Sequence, residues 1–504
     1  MAKHPTGLYM LSSIEMWERF SYYGMRAILS LYMVYSLMFT LPFATTVYGT
    51  YTAFIYLTPL LGGYVSDRYL GNRKSIAFGS ILMAIGQFTL AYSAFLYNPF
   101  ANIAPHSSLI FTTQEIVFVL GLLILCIGCG FIKANISSMI NFLYKKNDTR
   151  LDAAYNIFYV GINLGAFISP LIIGVFVSSQ HPEWYPYGFL ISGIGMCIGL
   201  AILLIFKDKY LVDYKGRQIG KLPSSQEESN SDEEDIDDAI LKKVGNKESI
   251  VKKTKEKLKT WTINEKKEFL DSPLTKVEKQ RIYAIILISF ISVFFWSAFE
   301  QAGVSLTFFT NTYISRRLFN FTVPTEWFQS VNSFFIIILA PLFAIMWTKL
   351  NEKKKNLSVG VKMSISLFVL AIGFVIFAIP AGAISLGAAS VGMHWIIILY
   401  FILTIAELFI SPVGLSTIAK LSPTKFTSLF LGIWFGSTAL ANFIAGILSR
   451  LYPDPKLPTP YLLGIIPING FFEFFILFAI FASVGGVIVL LLKNKINKWA
   501  NGAI

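Results

Sequence analysis

Charge is scarce in this sequence: 14% of its 504 residues are Asp, Glu, Lys or Arg, against roughly 25% in an ordinary soluble domain. A soluble enzyme of the usual kind is thereby excluded. Cysteine is scarcer still, and Cys126, Cys129 and Cys197 all fall inside apolar stretches, so no disulfide framework is implied and the redox compartment is left unread. Histidine is limited to His4, His106, His181 and His394, which fall near loops or the ends of apolar runs. Residues 1–7 are too short and polar for a cleavable signal, so the first apolar run is expected to stay in the mature protein.

What is abundant is apolar surface, with 55% of residues hydrophobic. Runs such as Ile336–Trp347, Ile365–Ile379 and Phe474–Leu492 reach, with their flanks, the roughly 20 residues that cross a bilayer. The chain is therefore expected to be an all-α membrane protein in contact with lipid. Apolar runs between charged or Pro/Asn-containing breaks place spans near 14–40, 45–66, 75–97, 114–143, 152–178, 186–206, 282–311, 327–349, 359–380, 394–419, 427–449 and 468–492. The net charge of +13 would suit nucleic acid, but lysines beside spans account for it, so no nucleic-acid partner is expected.

Loop charge sets the orientation. Asp67–Lys74, Lys145–Arg150, Lys353–Lys362 and Lys420–Lys425 are basic, whereas Thr40–Thr46, Tyr97–Gln114 and Pro380–Met393 contain no charged residue. Because cytoplasmic loops collect Lys and Arg, both termini are expected in the cytoplasm of a cell that carries the chain in its plasma or inner membrane. Arg316–Arg317 and Arg450 with Lys456 depart mildly from this alternation.

Residues 207–280 hold 33 of the 71 charged residues (42 basic, 29 acidic). They read as a solvated cytoplasmic linker, with a surface helix over Ile250–Leu270 as the alternative. The linker separates an N-terminal bundle of six spans, 1–206, from a C-terminal bundle of six, 281–504, the plan of two parallel repeats.

Ionisable groups at bilayer depth are costly and so are functional candidates. Glu15, Glu18, Arg19 and Arg26 lie in the first span, Lys133 in the fourth, Glu300 in the seventh and Glu407 in the tenth. These are the first and fourth spans of each half, which in a two-repeat transporter face one central cavity. Glu15, Glu18, Arg19, Tyr22 and Arg26 recur at three- and four-residue intervals and form one helical stripe. Lys133 has no acid on its own helix, and Glu407, at the matching place in the other half, is its natural partner. Glu473, near the start of the last span, reads as an interfacial carboxylate. Cys126 and Cys129 read as small-residue packing, and Gly432 with Gly436 as a packing face within the chain.

The stretch Glu15–Gly24, E-M-W-E-R-F-S-Y-Y-G, resembles the E-x-x-E-R-F-x-Y-Y-G motif of the proton-dependent oligopeptide transporters, a family of the major facilitator superfamily. G-G-Y-V-S-D-R-Y-L-G-N-R-K at Gly62–Lys74, F-Y-V-G-I-N-L-G-A-F at Phe158–Phe167, F-F-W-S-A-F-E-Q at Phe294–Gln301, F-Q-S-V-N at Phe328–Asn332 and A-E-L-F-I-S-P-V-G at Ala406–Gly414 agree with it. The resemblance implies the major facilitator fold, twelve helices in two six-helix bundles, and proton-coupled import of di- and tripeptides by alternating access. Some relatives carry two extra helices between the halves; here that interval is too charged to hold them.

The resemblance further implies that Glu15, Glu18 and Arg19 belong to the proton-coupling motif and that Arg26 and Lys133 face the peptide carboxylate. Glu407 would receive the amino group. Tyr22, Tyr23, Tyr56, Asn163, Trp296, Asn332, Ser411 and Trp434 match pocket-lining positions. Glu300 matches an acid that pairs with the first-helix arginine, Arg26, when the outer gate is shut, and Lys133 with Glu407 would act likewise on the inner side. No histidine is expected in the proton path, and no cofactor beyond the proton itself as coupling ion. The charges also suit a zwitterionic peptide without the resemblance, because a dry cavity must offer one charge of each sign on opposing walls.

Three other readings compete. Gly165-x-x-x-Ser169-Pro170 followed by Gly174 partly matches a fifth-helix motif of proton-driven drug exporters. A transporter of nitrate or another small anion would use the positive groups but leave Glu407 superfluous. A receptor or enzyme would need 207–280 as its working domain, and that segment has few aromatics and no nucleotide or catalytic motif.

Overall fold

The computed structural model describes residues 4–100, 104–145, 148, 150–213, 216–221, 272–353, 355, 357–411, 414–423 and 426–502, with scattered positions between 240 and 265. Most of the 207–280 segment, including the helix considered for Ile250–Leu270, lies outside the described residues.

Before the linker come six long helices, α1 (Thr6–Tyr35), α2 (Leu41–Val65), α3 (Asn72–Phe95), α4 (Thr113–Phe142), α5 (Leu151–Phe176) and α6 (Tyr185–Tyr210). After it come α7 (Lys276–Phe299), α8 (Ser305–Tyr313), α9 (Gln329–Glu352), α10 (Val359–Ser385), α11 (Met393–Ile410), α12 (Gly414–Leu421), α13 (Thr427–Ser449) and α14 (Phe471–Ala500). A 3-10 turn, Glu300–Gly303, joins α7 to α8 inside one span, and α11 with α12 form another. Among the described residues this order gives twelve helical segments, each overlapping an expected span, and ten helices are long and apolar enough to cross a membrane. The first differs most: α1 begins at Thr6, eight residues before the expected boundary. Glu15 is therefore well inside the helix and buried, not at a helix start from which it could reach the interface.

Local chemistry explains several helix starts. Thr275 and Glu278 form a reciprocal capping box at the N-terminus of α7, which satisfies two otherwise open N–H groups. Thr112 caps α4 by accepting from the Glu115 N–H. Pro42 sits in the first turn of α2, where a missing N–H costs nothing. Lipid-facing positions such as Leu61, Val175, Ile205, Ile379 and Leu491 are exposed and apolar, as the bilayer requires.

Glycines let helices approach closely. A Cβ at Gly128 would lie 2.8 Å from Met83 N and one at Gly79 would lie 2.6 Å from Gly128 O, which locks α3 on α4. Cys126 beside them directs its thiol toward Tyr51 O, 3.9 Å away, and both Cys126 and Cys129 are buried, as expected of packing residues. Between the halves, Gly49 of α2 meets Gly446 of α13: a Cβ at Gly446 would stand 2.6 Å from Thr45 O and 2.8 Å from Gly49 Cα. Gly432 packs toward Leu60, but Gly436 has open space around it, so only one member of the expected glycine pair makes a helix contact. The charged Glu473, near the start of α14, is exposed, in keeping with an interfacial position.

The two halves also meet where α5 approaches α9, at the end of the molecule whose loops carry little charge. There Trp327 Nε1 donates to Leu171 O at 3.0 Å and Ser330 Oγ to Phe167 O at 2.7 Å. The buried residues of α9 are Ser330, Ser333 and Ile336, all in its first turns. The rest of α9, toward the basic end, buries none. Where α5 and α9 meet, the described contacts between the halves are thus gathered at the sparsely charged end, and α9 is left uncovered toward the basic one.

The Gly49–Gly446 crossing yields a prediction. Gly446→Ala places a methyl group against rigid backbone, and overpacking of this kind costs about 1–3 kcal/mol. It should lower the midpoint of heat-induced unfolding in detergent. Gly436→Ala, with open space and a gain in helix propensity, should leave that midpoint unchanged or raise it.

Candidate functional site

Each half contributes charge to the space it shares with the other. On α1, Arg19 lies between two acids: its Nε is 3.0 Å from Glu15 Oε1 and also contacts Glu18. All three side chains are buried. Their contacts are charge contacts with poor hydrogen-bond alignment, since both Glu18 oxygens and one Glu15 oxygen have no hydrogen bond among the described residues. The guanidinium of Arg19 also stands 5.6 Å from the Tyr22 ring centroid. The stripe expected from residue spacing is present, and it faces inward.

Two turns along α1, Arg26 makes the link between halves. Its Nε donates to Tyr48 Oη of α2 at 2.6 Å, and its Nη2 donates to Glu300 in the turn between α7 and α8. Arg26 and Glu300 are both buried, so the pair expected from the resemblance is formed. A side chain at Gly303 would collide with the Tyr48 hydroxyl and come within 3.1 Å of Arg26 Nη2. The glycine that ends the turn therefore makes room for the pair. Tyr48 was missed in the sequence. Its only signal was the shared ridge with Tyr56, two four-residue steps along α2.

Lys133 and Glu407 are not paired with each other in this structure. Lys133 Nζ lies 3.6 Å from the centroid of the Tyr56 ring, a cation–π contact. Glu407 accepts from Asn332 Nδ2 at 3.0 Å, and the same amide reaches Thr404 Oγ1 at 3.0 Å. Thr404, one helical turn before Glu407, was also missed. The contacts between α5 and α9 lie toward the sparsely charged end, and each charge takes a partner from its own half.

The remaining expected residues form walls. Tyr22 and Tyr23 meet edge to face at 5.2 Å, and Arg26 stands 5.8 Å from the Tyr23 ring. Tyr23, Tyr56, Lys133, Trp296, Asn332 and Glu407 are all half-buried, as side chains bordering an open cavity should be. Trp296 packs on Phe295 and Phe299 and its indole N–H has no partner among the described residues. Asn163 is buried and donates to Tyr159 O at 2.9 Å, within its own helix. Trp434 is buried against Gly414, where a Cβ would lie 2.6 Å from the ring. Ser411 is exposed at the end of α11. Among the described residues no group of three or more His, Cys, Asp or Glu is arranged to hold a metal.

Comparison with known proteins bears on the whole of this arrangement. A peptide transporter of Yersinia enterocolitica, YePEPT, is 32% identical over 468 residues, covering 88% of this chain and 87% of its own. A di-/tripeptide transporter of Lactococcus lactis subsp. cremoris is 29% identical, covering 98% and 96%. Among solved structures, the peptide transporter POT in complex with sulfate is 28% identical with a TM-score of 0.75, covering 99% of this chain and 96% of that one. A POT family transporter in complex with 5-aminolevulinic acid is 28% identical with a TM-score of 0.74, covering 98% and 97%. The fold is thus the major facilitator fold of these neighbours, in a multi-pass membrane protein. The model of the POT family matches residues 73–461, and with that match and these relatives the chain belongs to the POT family.

Proposed function

We propose that this protein is a proton-coupled symporter that imports di- and tripeptides by alternating access. The observation that carries the reading is the separation of sign across the cavity: Lys133 on α4 rests on Tyr56, Glu407 on α11 is held by Asn332, and among the described residues neither is in a salt bridge. A zwitterionic peptide supplies the missing partner to each. Half-buried Tyr23, Tyr56 and Trp296 offer walls with few directed polar groups, which tolerates varied side chains. An anion transporter would have no use for Glu407 opposite the positive groups, and a drug exporter would not need both signs.

In this reading the bundles 1–206 and 281–504 rock about their shared contacts while 207–280 links them in the cytoplasm. On the same reading the basic loops face the cytoplasm and the cavity opens inward. Glu15, Glu18 and Arg19 form the proton-coupling cluster with Glu300. Arg26 with Glu300 is the outer gate pair, and Lys133 with Glu407 closes the inner side once the cavity is empty. Tyr22, Tyr23, Arg26, Tyr56, Lys133, Asn163, Trp296, Asn332, Glu407, Ser411 and Trp434 surround the substrate.

Symport has an energetic test. One proton moving down about 100 mV supplies about 2.3 kcal/mol, and about 1.4 kcal/mol is a tenfold ratio, so single-proton coupling supports roughly fiftyfold accumulation. Labelled dialanine should concentrate in proteoliposomes under an imposed gradient and equilibrate when a protonophore is added. Accumulation without any gradient would overturn the reading.

Cargo has a separate test at Glu407. A hydrogen bond to a charged group contributes about 1.5–3 kcal/mol, so Glu407→Ala should weaken dialanine binding roughly ten- to a hundredfold. An N-acetylated dipeptide has no ammonium to lose, and its weaker binding should change little. Competition binding, not uptake, checks this, because Glu407 also serves the gate. Competition by nitrate with none by dipeptides would move the protein to the anion reading.

A further inference from the structure

The Arg26–Glu300 pair is not the outermost link between the halves. About three helical turns further along the same span stands Asn311, near the end of α8. Its Nδ2 donates to the Tyr35 hydroxyl at 3.0 Å, and Tyr35 is the last residue of α1. Its Oδ1 accepts from Ser179 Oγ at 2.9 Å, in the loop between α5 and α6, and from Thr325 Oγ1 at 3.0 Å. Two of the three partners belong to the other half. If the amide is turned over, the hydroxyls exchange donor and acceptor roles and the same three partners remain. The site lies beyond the cavity-lining residues, and neither the sequence motifs nor the substrate reading uses it.

We propose that Asn311 is an uncharged latch that holds the outer rim shut by bridging Tyr35 and Ser179, and so sets the balance between the inward- and outward-open forms. This rests on the alternating-access reading given above. The four side chains are joined by hydrogen bonds with no ion pair among them, unlike the Arg26–Glu300 pair beneath. Opening the rim transfers these groups to water, which replaces each bond, so each contributes a modest factor of about two to ten in population. That is enough to favour closure without trapping the protein there.

The contrast between partners supplies the test. Spin labels at Gln180→Cys and Leu386→Cys, exposed positions at the outer ends of opposite halves, with Cys197→Ser, report rim distance by pulsed electron paramagnetic resonance. Ser179→Ala and Tyr35→Phe each remove one bond between halves and should raise the ratio of long to short distances about two- to tenfold. Asn311→Ala removes both and should raise it about four- to a hundredfold. Thr325→Val removes a bond within one half and should leave the ratio unchanged within twofold. An equal shift for Thr325→Val would overturn the latch. Glu300→Ala is the control: a rim that opens in that variant but not in Asn311→Ala or Ser179→Ala overturns the latch alone. One that stays closed in every variant, Glu300→Ala included, overturns alternating access along with it.

Discussion

Arg26 and Glu300 come from different halves of the chain, and neither can stand alone at bilayer depth. A buried pair of this kind adds little stability by itself, but removing one partner leaves an uncompensated charge and costs about 3–5 kcal/mol. The halves are therefore held in register by a contact whose loss must be made good by something else. Water admitted by opening, a proton on the carboxylate, or a substrate group at the guanidinium would each serve. Tyr48 adds direction: by accepting from Nε it leaves Nη2 aimed at Glu300, and Gly303 provides the notch in which the groups meet.

Around this pair the contacts between halves are of two kinds. The α2–α13 crossing is tight, backbone against backbone at Gly49 and Gly446, where shape leaves little freedom. The α5–α9 and α8 contacts are neutral hydrogen bonds near the rim, from Trp327, Ser330 and Asn311. Close-packed glycines suit a surface on which helices pivot, since no side chain must repack. Single hydrogen bonds suit a surface that parts, since water replaces each of them at small net cost.

Much of this was legible before any coordinates. Hydrophobic run length places the spans because backbone groups in lipid must be satisfied within a helix. The placement erred for α1 because its Glu15, Glu18, Arg19 and Arg26 break the apolar run that marks a span. The residue types of the site were legible for the same reason, that charge in a bilayer demands an explanation. What spacing cannot convey is which neighbour a side chain chooses. Tyr48 looked like any other aromatic of α2, and the break at Glu300–Gly303 was hidden inside a continuous apolar stretch. Lys133 and Glu407 looked like a pair because each lacked a partner on its own helix, yet Tyr56 and Asn332 hold them. Sequence carries the depth and face of a residue; the partner depends on which side of the molecule is open.

That dependence bears on the proposed mechanism. Lys133 on a tyrosine ring and Glu407 on an amide are each held by contacts weaker than an ion pair, so both remain available to a substrate with opposite charges at its two ends. When the cavity is empty, the same two charges can satisfy one another as the basic end closes and water leaves. A peptide and the closing gate therefore compete for the same groups. A substrate that spans the gap keeps the charges apart, and one too short to reach both would satisfy one and strand the other. The distance over which Lys133 and Glu407 can be bridged, more than the chemistry of the walls, would then set the range of lengths the transporter accepts.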